Sequence, residues 1–391
     1  MERDRDRFVK PTALVIGGGL HGASAATQLA RSGFRVTVVE KNYAGRHASG
    51  VNAGGVRRLG RHPAEIPLAV AALERWQRLE ALIGDDGGFH PCGQIKVAEN
   101  DENMARLVSR AAEVRELGFD HEITLSRDEL RRRVPAVAPH CVGALACDGD
   151  GAANPYRTLT AWRRQSQREG AIWREGVRVT RVDRAPGGGW RLSTDHPDLP
   201  GLDADWLINC AGGWAGELCG ALDECVAMQA QALMLTITER VTPFLGPVIG
   251  SASRALSFKQ MDNGSVMIGG GIAGCIDTGG ERADVRLAGL AENVQTALGL
   301  FPFMRDVRVV RTWAGIEGVT GDGIPVLGLS WRHPRLIHSF GYSAHGFQLS
   351  AITGEIVRDL ALEREPALPI APFDIRRFDS SSAAARASHT H

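Results

Sequence analysis

The chain has 391 residues, and its 45 basic and 45 acidic side chains cancel to a formal charge of zero. That length predicts two domains, or one interrupted by another, and the charge balance excludes a nucleic-acid partner held by general electrostatic attraction. The seven cysteines form no CxxC pair and no compact Cys/His cluster, which excludes a thiolate zinc site or an iron–sulfur centre within the chain and fits a reducing compartment.

The charged opening MERDRDRFVKP leads into TALVIGGG, a run too short and too quickly broken by glycine for a signal peptide or a membrane span. The expectation is a cytoplasmic chain with no transmembrane segment; peripheral or partner-mediated contact with a membrane stays open. The sequence then predicts a strand at 13–16, a glycine turn, a helix over 21–31 and a second strand at 35–39. Apolar residues Ile66, Val70, Leu73, Trp76, Leu79 and Leu82 recur every three or four positions and predict a helix over 64–83. A turn and short strand within 84–100 precede helices over 103–117 and 127–133, the latter ended by Pro135. The glycine-rich loop from Asp148 opens a helix near Pro155. Short strands follow over 171–194, turning at the triple glycine 187–189, and then the strand DWLINCAGG.

From Met228 to Gly271 the chain reads mainly as strand, with Asp262-Asn263-Gly264 as a hairpin turn. A helix over 281–300 separates this from the strand VRVVRTWAGIEG. The stretch RLIHSFGYSAHGFQLSAITGEIVRDLAL reads as strand, glycine loop and helix, and the serine- and alanine-rich residues 381–391 as a flexible tail. Signals for α/β structure therefore frame a strand-rich middle.

Gly17, Gly19 and Gly22 have the spacing G-x-G-x-x-G between a predicted strand and a predicted helix. In that setting Gly17 permits the tight turn, Gly19 lets the backbone approach a pyrophosphate, and Gly22 allows close strand–helix packing. Unsatisfied N–H groups at the helix start, around Leu20 and His21, then face the phosphates. Glu40 closes the second strand at a separation suited to a ribose hydroxyl, which favours FAD or NAD(H) over NADP.

The segment after Glu40, EKNYAGRHASGVNAGGVRR, is rich in small residues able to lie flat against a rigid cofactor and supply amides. Arg57 or Arg58 could balance phosphate charge, the electron-rich pyrimidine end of a reduced flavin, or a substrate carboxylate.

Together GGGLHGASAA, GRHASGVNAGGVRR, RTWAGIEGVTGDGIPVLG and GYSAHGFQLSAITGEIVRDLA resemble the FAD-dependent D-amino-acid oxidase superfamily. Within it the chain is most similar to the glycine/sarcosine oxidase branch, and especially to flavin subunits of heteromeric amine dehydrogenases: sarcosine oxidase beta subunit, hydrogen cyanide synthase flavoprotein subunit, and opine or hydroxyproline dehydrogenase subunits. The resemblance spans nearly the whole chain. It implies a fold of mixed α/β and α+β class, with a Rossmann-like, discontinuous FAD-binding domain and a predominantly β-sheet substrate domain of glutathione-reductase-like type. The corresponding boundaries are 1–85, 150–225 and 312–380 for the FAD domain, and 86–149 and 226–311 for the substrate domain.

Carried onto this sequence, the resemblance implies cofactor contacts from Gly17, Gly19, Leu20, His21 and Gly22, from Glu40 and Lys41, and from Arg46, His47, Ala48, Ser49, Asn52, Ala53, Gly54 and Gly55. Val177 would meet adenine through its backbone. Gly315, Gly341, Ala344, His345, Gly346, Phe347 and Gln348 would approach the isoalloxazine. Helix-start amides after Gly341 could stabilise negative charge on the reduced flavin.

The implied reaction is dehydrogenation of a small amine or amino acid of opine, hydroxyproline, sarcosine or glycine type. A hydride equivalent passes from the substrate carbon to flavin N5, and the imine is then hydrolysed. Candidate catalytic residues are Arg57, Arg58, Lys259, Gln260, Trp313 and His345; strand alternation predicts that only one of Lys259 and Gln260 points into the pocket. Two departures from the family bear on the cofactor. AANPYRTLTAW lacks the histidine that carries covalent FMN in sarcosine oxidase beta subunits, and no cysteine beside GIEGVTGDGIPV matches the covalent one of monomeric sarcosine oxidase. Noncovalent FAD is therefore expected, with room for FMN at a partner interface. The relatives imply a hetero-oligomer with a second flavin- or nucleotide-binding subunit and a small iron–sulfur subunit. A self-sufficient oxidase releasing peroxide and an electron-transfer or structural flavin subunit are the alternatives.

Overall fold

A computed structural model describes residues 10–279 and 281–379. The expected tail at 381–391 lies outside the described residues. Among those described, no helix is long and apolar enough to cross a membrane, and no cluster of His, Cys, Asp or Glu is arranged to hold a metal ion.

The run TALVI forms the strand Thr12–Ile16, whose central residues are buried. A strand apolar on both faces needs cover on both, and that is the habit of parallel sheets. Its neighbours are Arg35–Glu40 and Trp206–Asn209, both parallel. The complete order in this six-stranded sheet is Val326–Leu329, Leu336–Phe340, Trp206–Asn209, Thr12–Ile16, Arg35–Glu40 and Ile172–Glu175. On one face the helices Leu20–Arg31 and Gly346–Ala361 bury Ala25, Ala26, Leu29, Leu349, Ile352 and Ile356 in a single core.

The second sheet has eight strands, in the order Val309–Thr320, Met228–Arg240, Ser265–Gly269, Ser257–Gln260, Val248–Ser251, Gln94–Ala98, Gly143–Cys147 and Ile123–Ser126. All pairings are antiparallel except that between Val248–Ser251 and Gln94–Ala98. Period-two alternation sorts its two faces. Ile95, Val97, Ile249 and Phe258 enter a core with Ala297, Leu300 and Phe301 of the covering helix region, while Gln94, Lys96, Val248, Gly250 and Ser257 line a cavity on the other side. The two sheets thus give the Rossmann-like FAD-type layer and the discontinuous β-sheet layer implied by the sequence.

Three expectations shift. The helix predicted over 64–83 is two helices, Ile66–Trp76 and Leu79–Ile83, because Arg78 leaves helical geometry. Trp76, Leu79 and Ile83 all enter one core, so the apolar period continues across a break it does not register. The helix predicted over 281–300 begins only at Leu287; Arg282–Asp284 instead pairs with Cys275–Asp277 as a hairpin. The strand Val309–Thr320 belongs wholly to the eight-stranded sheet, so a boundary at 312 would cut it.

Candidate active site: a cavity between the two sheets

The chain turns sharply at the end of the first strand. Gly17 has a φ of +107°, and a side chain there would place its Cβ 2.3 Å from the carbonyl oxygen of Cys210. Gly22 packs directly behind it: a Cβ would stand 2.0 Å from the Gly17 oxygen. These two glycines press the helix Leu20–Arg31 against the sheet, and its start carries no side-chain cap from Gly19. The amide of Leu20 donates to Ser49 Oγ at 3.0 Å, which folds the small-residue segment over the turn.

Glu40, at the end of the second strand, is nearly buried. One carboxylate oxygen accepts from the Gly18 amide at 2.7 Å and the other from the Asn42 amide at 2.9 Å. Burial pushes this carboxyl upward, against the pull of those two amides and Lys41. Lys41 lies 3.0 Å above the Trp214 ring and 2.9 Å from Glu281, and burial lowers its amine. His47 stacks obliquely on Trp214, and its Nε2 is buried without a partner. Burial, Lys41 and Arg46 push His47 down to about 4.

All of this forms one end of a cavity of about 700 Å3 that runs on to the free face of the eight-stranded sheet, a size within the usual range for small-molecule and cofactor sites. Its wall brings together Gly17, Gly19, Leu20, His21, Glu40, Lys41, Arg46, His47, Ala48, Ser49, Asn52, Ala53, Gly54, Gly55, Arg57, Val177, Gly315, Gly341, Ala344, Gly346 and Phe347. The helix start, which has no side-chain cap from Gly19 and whose first amide is held by Ser49, the acidic strand end and the partnerless His47 nitrogen fit a dinucleotide pyrophosphate and ribose. His21 is a wall rather than a charge. Its ring lies 3.6 Å from Tyr342 in parallel stacking, Nδ1 is 2.9 Å from Thr353 Oγ1, and burial pushes its titration down to about 3. The Val177 amide donates to the Glu40 carbonyl at 3.0 Å, which holds Val177 in the cavity wall beside the end of the second strand.

Other sequence-predicted residues stand outside the wall. Arg58 turns to Asp150, 3.1 Å from Nε to Oδ1. Gln260 faces the core side, where its amide accepts from the Phe244 and Leu245 N–H groups and donates to three backbone carbonyls. Lys259 lies on the opposite face from Phe258, buried, and burial pushes it down to about 8. The Trp313 indole donates to the Val51 carbonyl. His345 pairs through Nδ1 with Glu65 at 3.0 Å; burial together with Arg61 pushes it down to about 4, which makes it a neutral ring donating to an ionised Glu65. Gln348 is buried, accepting from Arg61 and donating to the Ala69 carbonyl. The loop that carries His345 holds Ser343 and Ala344 at left-handed φ of 49° and 66°, a costly backbone for non-glycine residues.

The FAD dependent oxidoreductase family matches residues 12–360 of this sequence. The chain belongs to that family. It is an FAD-dependent oxidoreductase. Hydrogen cyanide synthase subunit HcnC of Pseudomonas aeruginosa is 28% identical over 417 residues, covering 95% of this chain and 97% of the relative. An opine oxidase subunit of Rhizobium meliloti is 26% identical, covering 94% and 98%. The crystal structure of glycine oxidase from Geobacillus kaustophilus superposes with a TM-score of 0.85 at 24% identity, over 94% of this chain and 99% of that one, and so shares the family's fold.

Sequence reasoning missed the far end of the cavity: Gln94, Lys96, Met234, Arg254, Leu256 and Glu317. One signal was available in QIKVA, where Gln94 and Lys96 alternate with Ile95 and Val97 and so mark a polar face on a buried strand. Another was the lone carboxylate of WAGIEGVT, amid small and apolar neighbours.

Proposed function

We propose that this protein dehydrogenates a small amine or amino acid of opine, hydroxyproline, sarcosine or glycine type, holding FAD noncovalently. The observation that carries this reading is a cationic pole at the sheet end of the cavity. Arg57 and Lys96 line it, and neither has an ion pair among the described residues. Arg57 gives one N–H to the Leu59 carbonyl at 3.1 Å. Burial lowers both groups and Arg57 lowers Lys96 further; Asp150, Glu65 and Glu122 favour the charge on Arg57, and Glu122 that on Lys96, only from a distance, so an incoming carboxylate would supply the direct partner that both lack. The names of the relatives, opine oxidase and glycine oxidase among them, support the same substrate class.

Bound FAD supplies the two-electron acceptor for the substrate's carbon-bound hydride. The chain's own part is to hold and orient. Gly17, Gly19 and the helix start hold the pyrophosphate, Glu40 the ribose, and the segment 46–55 with Gly315, Gly341 and Ala344 the ring end. Arg57 and Lys96 fix the substrate carboxylate so that its amine-bearing carbon is presented at one orientation.

Two relatives named as subunits support work within a heteromeric complex; a second flavin- or nucleotide-binding subunit and a small iron–sulfur subunit are the proposed partners, with room for FMN at an interface. The test is anaerobic addition of candidate amines to protein purified with its natural partners. Rapid bleaching of the flavin band with slow reoxidation by air supports the dehydrogenase. Peroxide release matching substrate loss would favour a self-sufficient oxidase, and no bleaching across the panel an electron-transfer or structural subunit.

A further inference from the structure

Glu317 lies in the strand Val309–Thr320, opposite Gln231 and between Ile316 and Gly318, and it lines the cavity with both of those neighbours. Its Oε1 is buried and has no hydrogen-bond partner. The backbone amide of Ala344 is the one group that favours the ionised form; burial opposes it and pushes the carboxyl up to about 7. The residues packed around it carry no charge: Gln231 on the neighbouring strand, the turn Gly212–Trp214, and Ser343 and Ala344 in the glycine loop. The cavity's other charged residues, Glu40, Lys41, Arg46, Arg57, Lys96, Arg178, Arg181, Glu217 and Arg254, are not among the groups that shift it. A carboxylate kept dry without a cation is costly; the buried Asp150 and Glu122 are paired with Arg58 and Arg110, and the buried Glu40 accepts two backbone amides, whereas one oxygen of Glu317 has nothing.

We propose that the Glu317 carboxylate receives the charged nitrogen of the amine substrate and takes its proton before the carbon–hydrogen bond breaks, an inference that rests on the amine-oxidation reading above. The substrate arrives as an ammonium ion, with no lone pair to drive loss of hydride. As the proton moves, an N–H bond breaks, an O–H bond forms on Glu317, and the electron pair stays on nitrogen. The proton later leaves Glu317 for water. An acceptor that titrates near the working pH is well matched to this transfer. With Arg57 and Lys96 on the carboxylate and Glu317 on the amine, the cavity selects zwitterionic amino acids over simple amines.

The experiment compares wild type, Glu317→Gln and Glu317→Asp holoprotein, purified with partners, by anaerobic stopped flow from pH 6 to 9, using an amine that bleaches the wild type. The limiting bleaching rate of Glu317→Gln should fall on the order of a hundredfold at pH 7. It should recover tenfold per pH unit as solvent deprotonates the amine, while Glu317→Asp keeps the wild-type limb. Infrared spectra should show a protonated carboxyl band in wild type that fades as pH rises through about 7 and is absent from Glu317→Gln. An unchanged pH profile in Glu317→Gln overturns the proposal. So does loss of FAD with a normal rate per bound flavin, which would assign the carboxylate to the cofactor. If no amine bleaches the wild type, the amine-oxidation reading itself falls, and this inference with it.

Discussion

The indole Nε1 of Trp313 donates to the carbonyl of Val51 at 3.0 Å, which fastens the eight-stranded sheet to the small-residue segment that closes over the phosphate cradle. Two residues along the strand, a Cβ on Gly315 would lie 2.0 Å from a Val51 methyl, so strand and segment meet without space between them. Trp313→Phe keeps most of the ring and removes the bond. The expected loss is about 1 kcal/mol, read as FAD release from the holoprotein accelerated roughly fivefold, with the limiting rate of flavin reduction unchanged.

Glu40 accepts two backbone amides at once. Glu40→Ala leaves the Gly18 and Asn42 donors without that carboxylate and deprives a ribose of its acceptor. Each unsatisfied group costs about 1–3 kcal/mol, so FAD affinity, measured by quenching of flavin fluorescence on titration into apoprotein, should weaken ten- to a hundredfold or more.

Asp150 binds the Arg58 and Leu59 amides at 2.7 and 2.9 Å as well as the Arg58 guanidinium, and its side chain is wholly buried. Asp150→Asn strands a mostly buried cation. Stability should fall by about 3 kcal/mol, seen as a lower urea midpoint. The double variant Asp150→Asn/Arg58→Met should recover part of that loss, since it removes the unpaired charge.

Acid should unfold this protein early. His345 and His21 are held well below their ordinary value, at about 4 and about 3, chiefly by burial, and the His345 contact lowers Glu65. Between the ordinary histidine value of 6.5 and those lowered values, the unfolded chain binds protons that the native chain refuses. Stability is therefore full above pH 6.5 and falls as pH drops through 6 to 4, by up to about 1.4 kcal/mol per pH unit for each such group. Urea midpoints measured across that range should decline, and His345→Gln should decline less steeply.

Part of the architecture was legible because local chemistry forces it. Gly17, Gly19, Gly22 and Glu40 are spaced by the geometry of one strand, one turn, one helix and the next strand, a unit of short-range contacts. The cavity wall contains Gly17, Gly19 and Glu40 where that spacing put them. The hairpin at Asp262-Asn263-Gly264 joins its two strands for the same reason. The helix expected at 281 was not legible, because Glu281 takes a left-handed φ of 52° and reaches Lys41, Asn42 and Arg178 in the other layer. That contact spans more than a hundred residues and leaves no local pattern.

By itself, then, the sequence determined the dinucleotide turn, the alternation of the strands and the absence of clustered thiols, all of which depend on neighbours a few positions apart. Only the tertiary structure decided which polar side chains meet the cavity. Arg57 reaches it while Arg58 is drawn off to Asp150; Lys96 stands in its wall while Gln260 braces a loop; and Glu317 is left with an unpartnered oxygen where the two layers close. Adjacent residues in a strand point to opposite faces, and which face is covered depends on segments distant in the chain.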